Sequence, residues 1–444
     1  MSRLADHPTV KQFYSLPAPP AKAIPLDAAW LRQLCLEAGA EDVGFVAIDR
    51  AEIAGERADI LAAFPATKTL ISLVFQLNRE PIRSPARSAG NLEFHASYHH
   101  ANEVARRIVT ALQAAGVAAI NPSAGFPMEM DRFPGKIWYV SHKLVAVAAG
   151  LGKMGVHRCV IHPKFGSFIT LDTILVGAEV SEESVPIDFN PCLECKLCVA
   201  ACPVGAIGPD GHFDFSACAT HNYREFMGGF TDWARTIADS RNGLDYTRRV
   251  PDSESASMWQ SLSFGANYKA AYCVAVCPAG EDVIGPFLTD RKGFLSEVVK
   301  PLQEKLEPVY VVPGSDAEAH VARRFPHKTP RRVRGNLRAN SIERFLFAMP
   351  LLFQRHQSAG LDATYHFTFT GREPREATIV IRDEKLEVHE GHQGAANLRI
   401  IADGDAWLGF VRKERGLLWA IIRRKIRIRG SLRLMLAFGR CFPS

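Results

Sequence analysis

Residues 192–203 read Cys-Leu-Glu-Cys-Lys-Leu-Cys-Val-Ala-Ala-Cys-Pro, a C-x2-C-x2-C-x3-C-P run. No other stretch of the 444-residue chain restricts folding as strongly, because four closely spaced thiols must be oxidised or bound to metal. Of the ten cysteines, seven fall between Cys192 and Cys277. The first residues, Met1 to Pro8, carry neither a basic region followed by an apolar core nor paired arginines, so a cytoplasmic location is expected. In that reducing compartment such a cluster points to metal rather than disulfides. The longest apolar stretches, such as Phe345 to Phe353, are short and interrupted by Pro350, so no membrane span is expected.

The spacing has a physical reason. Three thiolates two residues apart on a curled loop can reach three irons of one cubane, while the fourth begins a helix and serves a second cluster, as in bacterial ferredoxin-type runs. A zinc ribbon would instead use two C-x-x-C knuckles. A second half-motif, Cys273-Val274-Ala275-Val276-Cys277-Pro278, follows, with Cys218 upstream. The crossed arrangement gives one cluster Cys192, Cys195, Cys198 and Cys277, and the other Cys202, Cys218 and Cys273. A complete second motif would carry cysteine at position 270, which is Ala270. The second cluster therefore holds three iron atoms, or four with a non-cysteine ligand for which His221 and Tyr272 are candidates. Cys35, Cys159 and Cys441 lie among apolar residues and read as core positions.

Upstream, Asp27 is a plausible N-cap for a helix ended by Gly39, and Val43 to Ile48 and Thr69 to Leu77 read as apolar strands. Ala101 to Ala115 reads as a helix closed by Gly116. Alternating helices and strands suggest an α/β or α+β layer domain. Gly150, Gly152 and Gly155 match G-x-G-x-x-G as a string, but a helix precedes them and a strand follows at Phe168 to Val176. That order is the reverse of a dinucleotide fold, so this reading is rejected. Two uses remain: a helix C-cap with a tight turn, or close approach of backbone to a flat cofactor.

The string Ala149-Gly150-Leu151-Gly152-Lys153-Met154-Gly155-Val156-His157, then Phe165-Gly166-Ser167-Phe168 and the cysteine runs, resembles epoxyqueuosine reductase and, more distantly, the reductive dehalogenases. The resemblance covers roughly residues 27–290. It implies a cobalamin-dependent reductase: a nitroreductase-like α/β domain holding the corrinoid, and two clusters feeding electrons to cobalt. It places Gly150, Gly152, Gly155, His157, Gly166 and Ser167 at the cofactor. Epoxyqueuosine reductases carry an aspartate as presumed proton donor before the glycine-rich segment; the counterpart here is Asn121, which cannot supply a proton. An insertion with Asp131, Lys136, Tyr139 and His142 follows, making Tyr139, supported by Lys136, and Asp131 the candidate donors.

Charge divides the chain. Residues 321–444 carry 24 Lys+Arg and 11 Asp+Glu, a net +13, which leaves 29 and 36, a net −7, for residues 1–320. Residues 301–340 are rich in proline and arginine and read as a connector. Beyond them Ser341 to Phe353 reads as a helix ending near Pro350. Strands at Tyr365–Phe369, Ala377–Ile381, Lys385–His389 and Ile426–Ser431 and a helix from Leu432 then form a small α+β unit. Ala377 to Val388, Asn397 to Trp407 and Lys425 to Ser431 resemble the sterol carrier protein type two domain, which implies an apolar tunnel for lipid or acyl ligands.

The expected architecture is thus α+β multidomain: a corrinoid-binding-like domain over 1–185, a ferredoxin-like two-cluster domain over 186–300, the connector over 301–340 and a sterol-carrier-like domain over 341–444. The expected activity is reduction of a small or lipid-like organic substrate, with electrons from a flavodoxin or ferredoxin passing through two iron–sulfur clusters to cobalamin. The alternative is an electron-transfer protein without catalysis, its tail binding lipid or docking a partner. The basic tail is expected to contact the acidic body or a membrane surface rather than nucleic acid, since aromatic residues are sparse around its arginines.

Overall fold

The computed structural model describes residues 4–15, 25–133, 135–188, 190–335 and 338–443. Near the N-terminus the sequence signals act as written. Asp27 Oδ1 accepts the Trp30 N–H at 2.6 Å to cap a helix over Ala28–Ala38, which Gly39 closes in the left-handed region at φ 117°. The helix buries Leu31 and Cys35. Strands Asp42–Ala47, Thr69–Gln76 and Ile169–Val176 then pair in that order, with the short Ala119–Ile120 strand beyond. All three pairings are antiparallel, so this layer is α+β and not a parallel α/β sheet.

Seven of the eight residues of Thr69–Gln76 are buried, because both sheet faces are covered. Period-two alternation sends Ile71, Leu73 and Phe75 into one core, with helix residues Val104, Ile108 and Leu112. Leu70 and Val74 enter another with Ile53, Ile60 and Val145. The helix expected over 101–115 runs instead from Arg87 to Ala114. Its first half escaped the apolar pattern because it buries Arg87, Asn91 and Ser97. Asn91 ties it to the cysteine-rich region, exchanging hydrogen bonds with the Tyr268 N–H (2.9 Å) and carbonyl (3.1 Å).

Residues read as a connector are largely folded. Strands Pro308–Val311 and Thr329–Arg332 pair in parallel around the helix Asp316–Arg324, burying Val309, Val311 and Val321 beside the cysteine motifs. Four-residue strands gave too little pattern to be read among the prolines and arginines.

The C-terminal unit is a five-stranded sheet in the order Lys385–Glu390, Arg375–Arg382, Ala363–Thr370, Leu398–Asp403, Ile426–Gly430. Only the central pair, Ala363–Thr370 with Leu398–Asp403, is parallel. The helix Ile342–Leu352 continues past Pro350, which lies in its last turn where the lost donor removes a single bond. Trp407, Tyr365, Phe367 and Phe369 fill the core. This unit docks on the rest of the chain through Arg344, which donates to the carbonyls of Asp131 (2.8 Å) and Phe133 (3.0 Å). An Arg355–Asp210 ion pair, a Gln354–Asp214 hydrogen bond of 3.4 Å and a 2.8 Å bond from the His356 N–H to Asp316 add to the contact. Part of the tail's positive charge is thus spent on the acidic body. Among the described residues no helix is long and apolar enough to cross a membrane.

Candidate iron–sulfur centres

The first cysteine run curls because Glu194 and Lys196 adopt left-handed φ values of 53° and 60°, uncommon for residues with a side chain. The curl gathers the thiols of Cys192, Cys195 and Cys198 around that of Cys277, each within electrostatic influence of the others. The same four cysteines line one small cavity with His157, Pro278 and Ala279. Burial pushes the Cys198 thiol up to about 12. A thiol that resists ionisation alone becomes a thiolate when an iron cation replaces its proton.

The second group forms across the short helices Leu197–Ala201, Phe215–His221 and Tyr272–Ala275. Cys202, Cys218 and Cys273 influence one another there, and Cys159 stands with them, its thiol interacting directly with that of Cys273. Cys159 is therefore no simple core residue. Cys35 is, since burial pushes its thiol up to about 12 inside the N-terminal core, and Cys441 lies in the C-terminal core. The Tyr272 hydroxyl is committed to Glu307, donating at 2.6 Å, while His221 accepts the Tyr310 N–H on Nδ1 at 3.3 Å and leaves its buried Nε2 without a partner. Among the described residues no group of His, Cys, Asp and Glu side chains offers a site for a single metal ion.

His157 lies between the groups. It is 4% exposed, accepts the Cys159 N–H on Nδ1 at 3.1 Å, and interacts with the Cys277 thiol. Two guanidiniums complete the surroundings, Arg83 near Cys277 and Arg87 near Cys273. Arg87 is buried and Arg83 partly so, and in each Nε and Nη2 lack a hydrogen-bond partner. Buried cations with free donors beside thiols suit an anionic thiolate cluster, so the residues present fit iron–sulfur clusters.

The glycines named for a flat cofactor face the chain itself. A Cβ on Gly150 would lie 2.1 Å from the Val185 carbonyl oxygen, on Gly152 2.5 Å from that of Ile161, and on Gly166 1.9 Å from that of Ala279. On Gly155 it would meet Ile161 Cδ1 at 2.6 Å. Ser167 is buried and donates to the Val274 carbonyl at 3.3 Å. Gly166 and Ser167 thus join the N-terminal domain to the second cysteine motif, and Gly150, Gly152 and Gly155 pack against residues 157–185, with the Cβ direction of each glycine filled by the chain.

The donor candidates separate as well. Asp131 is exposed in a short turn, and Lys136 binds Asp59 at 2.7 Å and Glu56 at 3.2 Å rather than Tyr139. Tyr139 is half-buried, its hydroxyl raised by burial and then by Glu129 and Asp172. Asp172 is the buried acid that sequence reading missed, although an acid inside the apolar strand Ile169–Val176 was a visible signal. His142 beside it spans Thr173 Oγ1 and the Ser123 carbonyl, both at 2.9 Å, and burial depresses its pKa, so it is neutral.

Burial pushes Asp172 up to about 8 from an ordinary 3.8. The folded state therefore holds a proton that the unfolded chain releases, and stability falls as pH rises between about 4 and about 8, by up to about 1.4 kcal/mol per unit. Asp172→Asn should abolish this slope, raising Tm more at pH 8 than at pH 5. Equal shifts at both would show that the carboxyl is already ionised in the fold.

An aromatic cluster borders the second group. Phe126 stacks on Phe226 and Phe226 on Tyr268, and the Tyr268 and Tyr98 hydroxyls are 2.9 Å apart. Beyond it opens a cleft of about 470 Å³ lined by Arg87, Asn91, His95, Lys269, Lys305 and Glu307 among others.

Residues 185–208 match the 4Fe-4S binding domain family, and residues 353–443 match the SCP-2 sterol transfer family. The epoxyqueuosine reductase of Bacillus anthracis is 26% identical over 120 residues, 24% of this chain and 31% of that protein. That of Aliivibrio fischeri is 29% identical over 156 residues, 35% and 39% of the two. The chain thus spans about a third of the length of the curated relatives it matches. Solved structures similar to it include an epoxyqueuosine reductase with an epoxyqueuosine-modified tRNA stem loop, at TM-score 0.33, 16% identity, and coverage of 43% of this chain and 56% of that one. A catabolic reductive dehalogenase aligns at TM-score 0.31 and 17% identity, covering 40% and 25%. The sterol carrier protein 2 of Yarrowia lipolytica aligns at 0.21 and 8%, covering 24% and 97%. Both resemblances read in the sequence reappear among these proteins.

Proposed function

We propose that the chain is an iron–sulfur reductase in which two clusters carry electrons one at a time from a flavodoxin- or ferredoxin-like donor toward the N-terminal domain. The observation that carries this reading is the gathering of the cysteines into two groups with His157 between them. Bound clusters supply one-electron storage. The protein's own residues would hold them, exclude water around Cys198 and Cys202, and offset their charge with Arg83 and Arg87. The name of the curated relatives favours a reductase over a carrier without catalysis.

The corrinoid stands apart in this reading. The resemblance makes it the expected acceptor, whereas the glycine segment assigned to it closes on the chain's own backbone. No step is routed through it. Anaerobic titration of the reconstituted full chain with cob(II)alamin separates the cases: micromolar binding makes the protein a corrinoid-dependent reductase held by other residues. Absence of binding, together with reduction of the clusters by photoreduced flavodoxin, leaves a corrinoid-independent one. Clusters that no one-electron donor reduces would defeat the electron-transfer reading.

The substrate reading moves away from lipid. No reductase relative bears on a lipid-like substrate, while one similar structure is described with a tRNA stem loop, in tension with the expectation that nucleic acid is not a partner. The SCP-2-like domain is read here as a docking or lipid-binding unit whose uncommitted arginines, such as Arg423, Arg427 and Arg429, can face an anionic surface.

A further inference from the structure

We propose that Cys159 supplies the fourth thiolate of the second iron–sulfur cluster, replacing the cysteine that the motif lacks at Ala270. The inference rests on the two-cluster reading above and completes one of its sites.

Four cysteines are the ordinary ligand set of a [4Fe–4S] cluster, and the second motif brings three. At position 270 the chain manages without a thiol: Ala270 is 4% exposed, and its N–H and that of Ala271 both donate to Asn222 Oδ1, at 3.1 and 2.7 Å. The missing ligand is met from the N-terminal domain. Cys159 and Cys273 pack against the same buried cluster, which also holds Ala270 and Ala271, and the thiols of Cys159, Cys218 and Cys202 all act on Cys273. Of the two non-cysteine candidates, Tyr272 is held by Glu307, and His221, whose Nδ1 accepts a backbone N–H, carries its proton on Nε2 and has no lone pair there for iron.

The loop that presents Cys159 is stiff. Strands Lys153–Met154 and Val160–Ile161 pair across it, the Gly155 N–H donates to the Cys159 carbonyl at 2.9 Å, and Arg158 turns through a left-handed φ of 63°. The His157 ring then holds the Cys159 N–H from within. A thiol on so short a hairpin is placed by the fold before iron arrives, which lowers the entropy lost on binding. Ligation exchanges the S–H bond for S–Fe and releases one proton, with no change in oxidation state. The Lys143 ammonium acts on the Cys159 sulfur, and the Arg87 guanidinium, with two nitrogens unpartnered, acts on Cys273 beside it.

The test uses the full chain purified and reconstituted without oxygen. Wild type should hold about eight irons, and Cys159→Ala about seven if a three-iron cluster forms or about four if the second cluster is lost. The signal of the first cluster in electron paramagnetic resonance should persist. Because the alanine variant could fail to fold, Cys159→Ser provides a second arm: its hydroxyl should keep the shape of the loop but alter the second cluster's signal. Wild-type iron and an unchanged spectrum in a folded Cys159 variant would overturn the assignment while leaving two clusters standing. A wild-type protein with only about four irons would instead defeat the two-cluster reading itself.

Discussion

Gly166→Ala should cost the fold more than about 3 kcal/mol and strip iron from the protein. Gly166 sits at φ 63°, where a side chain alone costs about 1 to 2 kcal/mol. Its Cβ would also fall 1.9 Å from the Ala279 carbonyl oxygen, and Gly280 is close as well, its own absent Cβ lying 2.4 Å from the Gly166 nitrogen. Neither partner can withdraw. Gly166 is fixed by paired bonds to His162 of 2.8 and 2.9 Å, and Glu281 and Asp282 are bonded to the carbonyls of Pro163 and Lys164 at 2.9 and 3.0 Å. Any relief must move the segment that begins with Cys277. Gly116→Ala is the control: φ is 77°, yet nothing lies within 4 Å of its Cβ, so only the backbone cost of about 1 kcal/mol applies. Equal Tm losses in the two variants would show that the joint is softer than its contacts indicate.

Cys198→Ala should remove one cluster and spare the other. Cys198 is 9% exposed and grouped with Cys192, Cys195 and Cys277, while Cys202, only four residues on, belongs to the second group. Iron should therefore fall by about half, from about eight to about four, with one of two reduced-cluster signals lost. Loss of both would mean that the clusters assemble as one unit. Full retention would refute the crossed assignment.

The cysteine grouping was legible because cluster ligation is written in short spacings, and chain-local signals such as the Asp27 cap were legible for the same reason. What escaped depended on distance along the chain. Cys159 lies 33 residues before Cys192, among apolar neighbours, and only folding sets it against Cys273. Asp172 gave a local signal, but its raised pKa comes from burial between layers. The glycines were rightly seen as places where a side chain cannot fit. The sequence could not say what approaches them, and their close neighbours are the carbonyls of Val185, Ile161 and Ala279 and the Ile161 side chain. The Arg87 end of the long helix was missed because buried polar residues read as surface until their partners are known.

The charge division has a structural counterpart in Arg355–Asp210 and the Arg344 contacts, which seat the SCP-2-like domain on the insertion and the cysteine-rich region. That placement seats a sterol-carrier-like fold on the cysteine-rich region and uses part of the tail's positive charge there.

The most direct test of two clusters on one chain is iron and acid-labile sulfide analysis of the anaerobically reconstituted wild-type protein. About eight irons and eight sulfides per chain are expected, or about seven irons if the second cluster holds three. Four or fewer irons, or zinc in their place, would contradict the account.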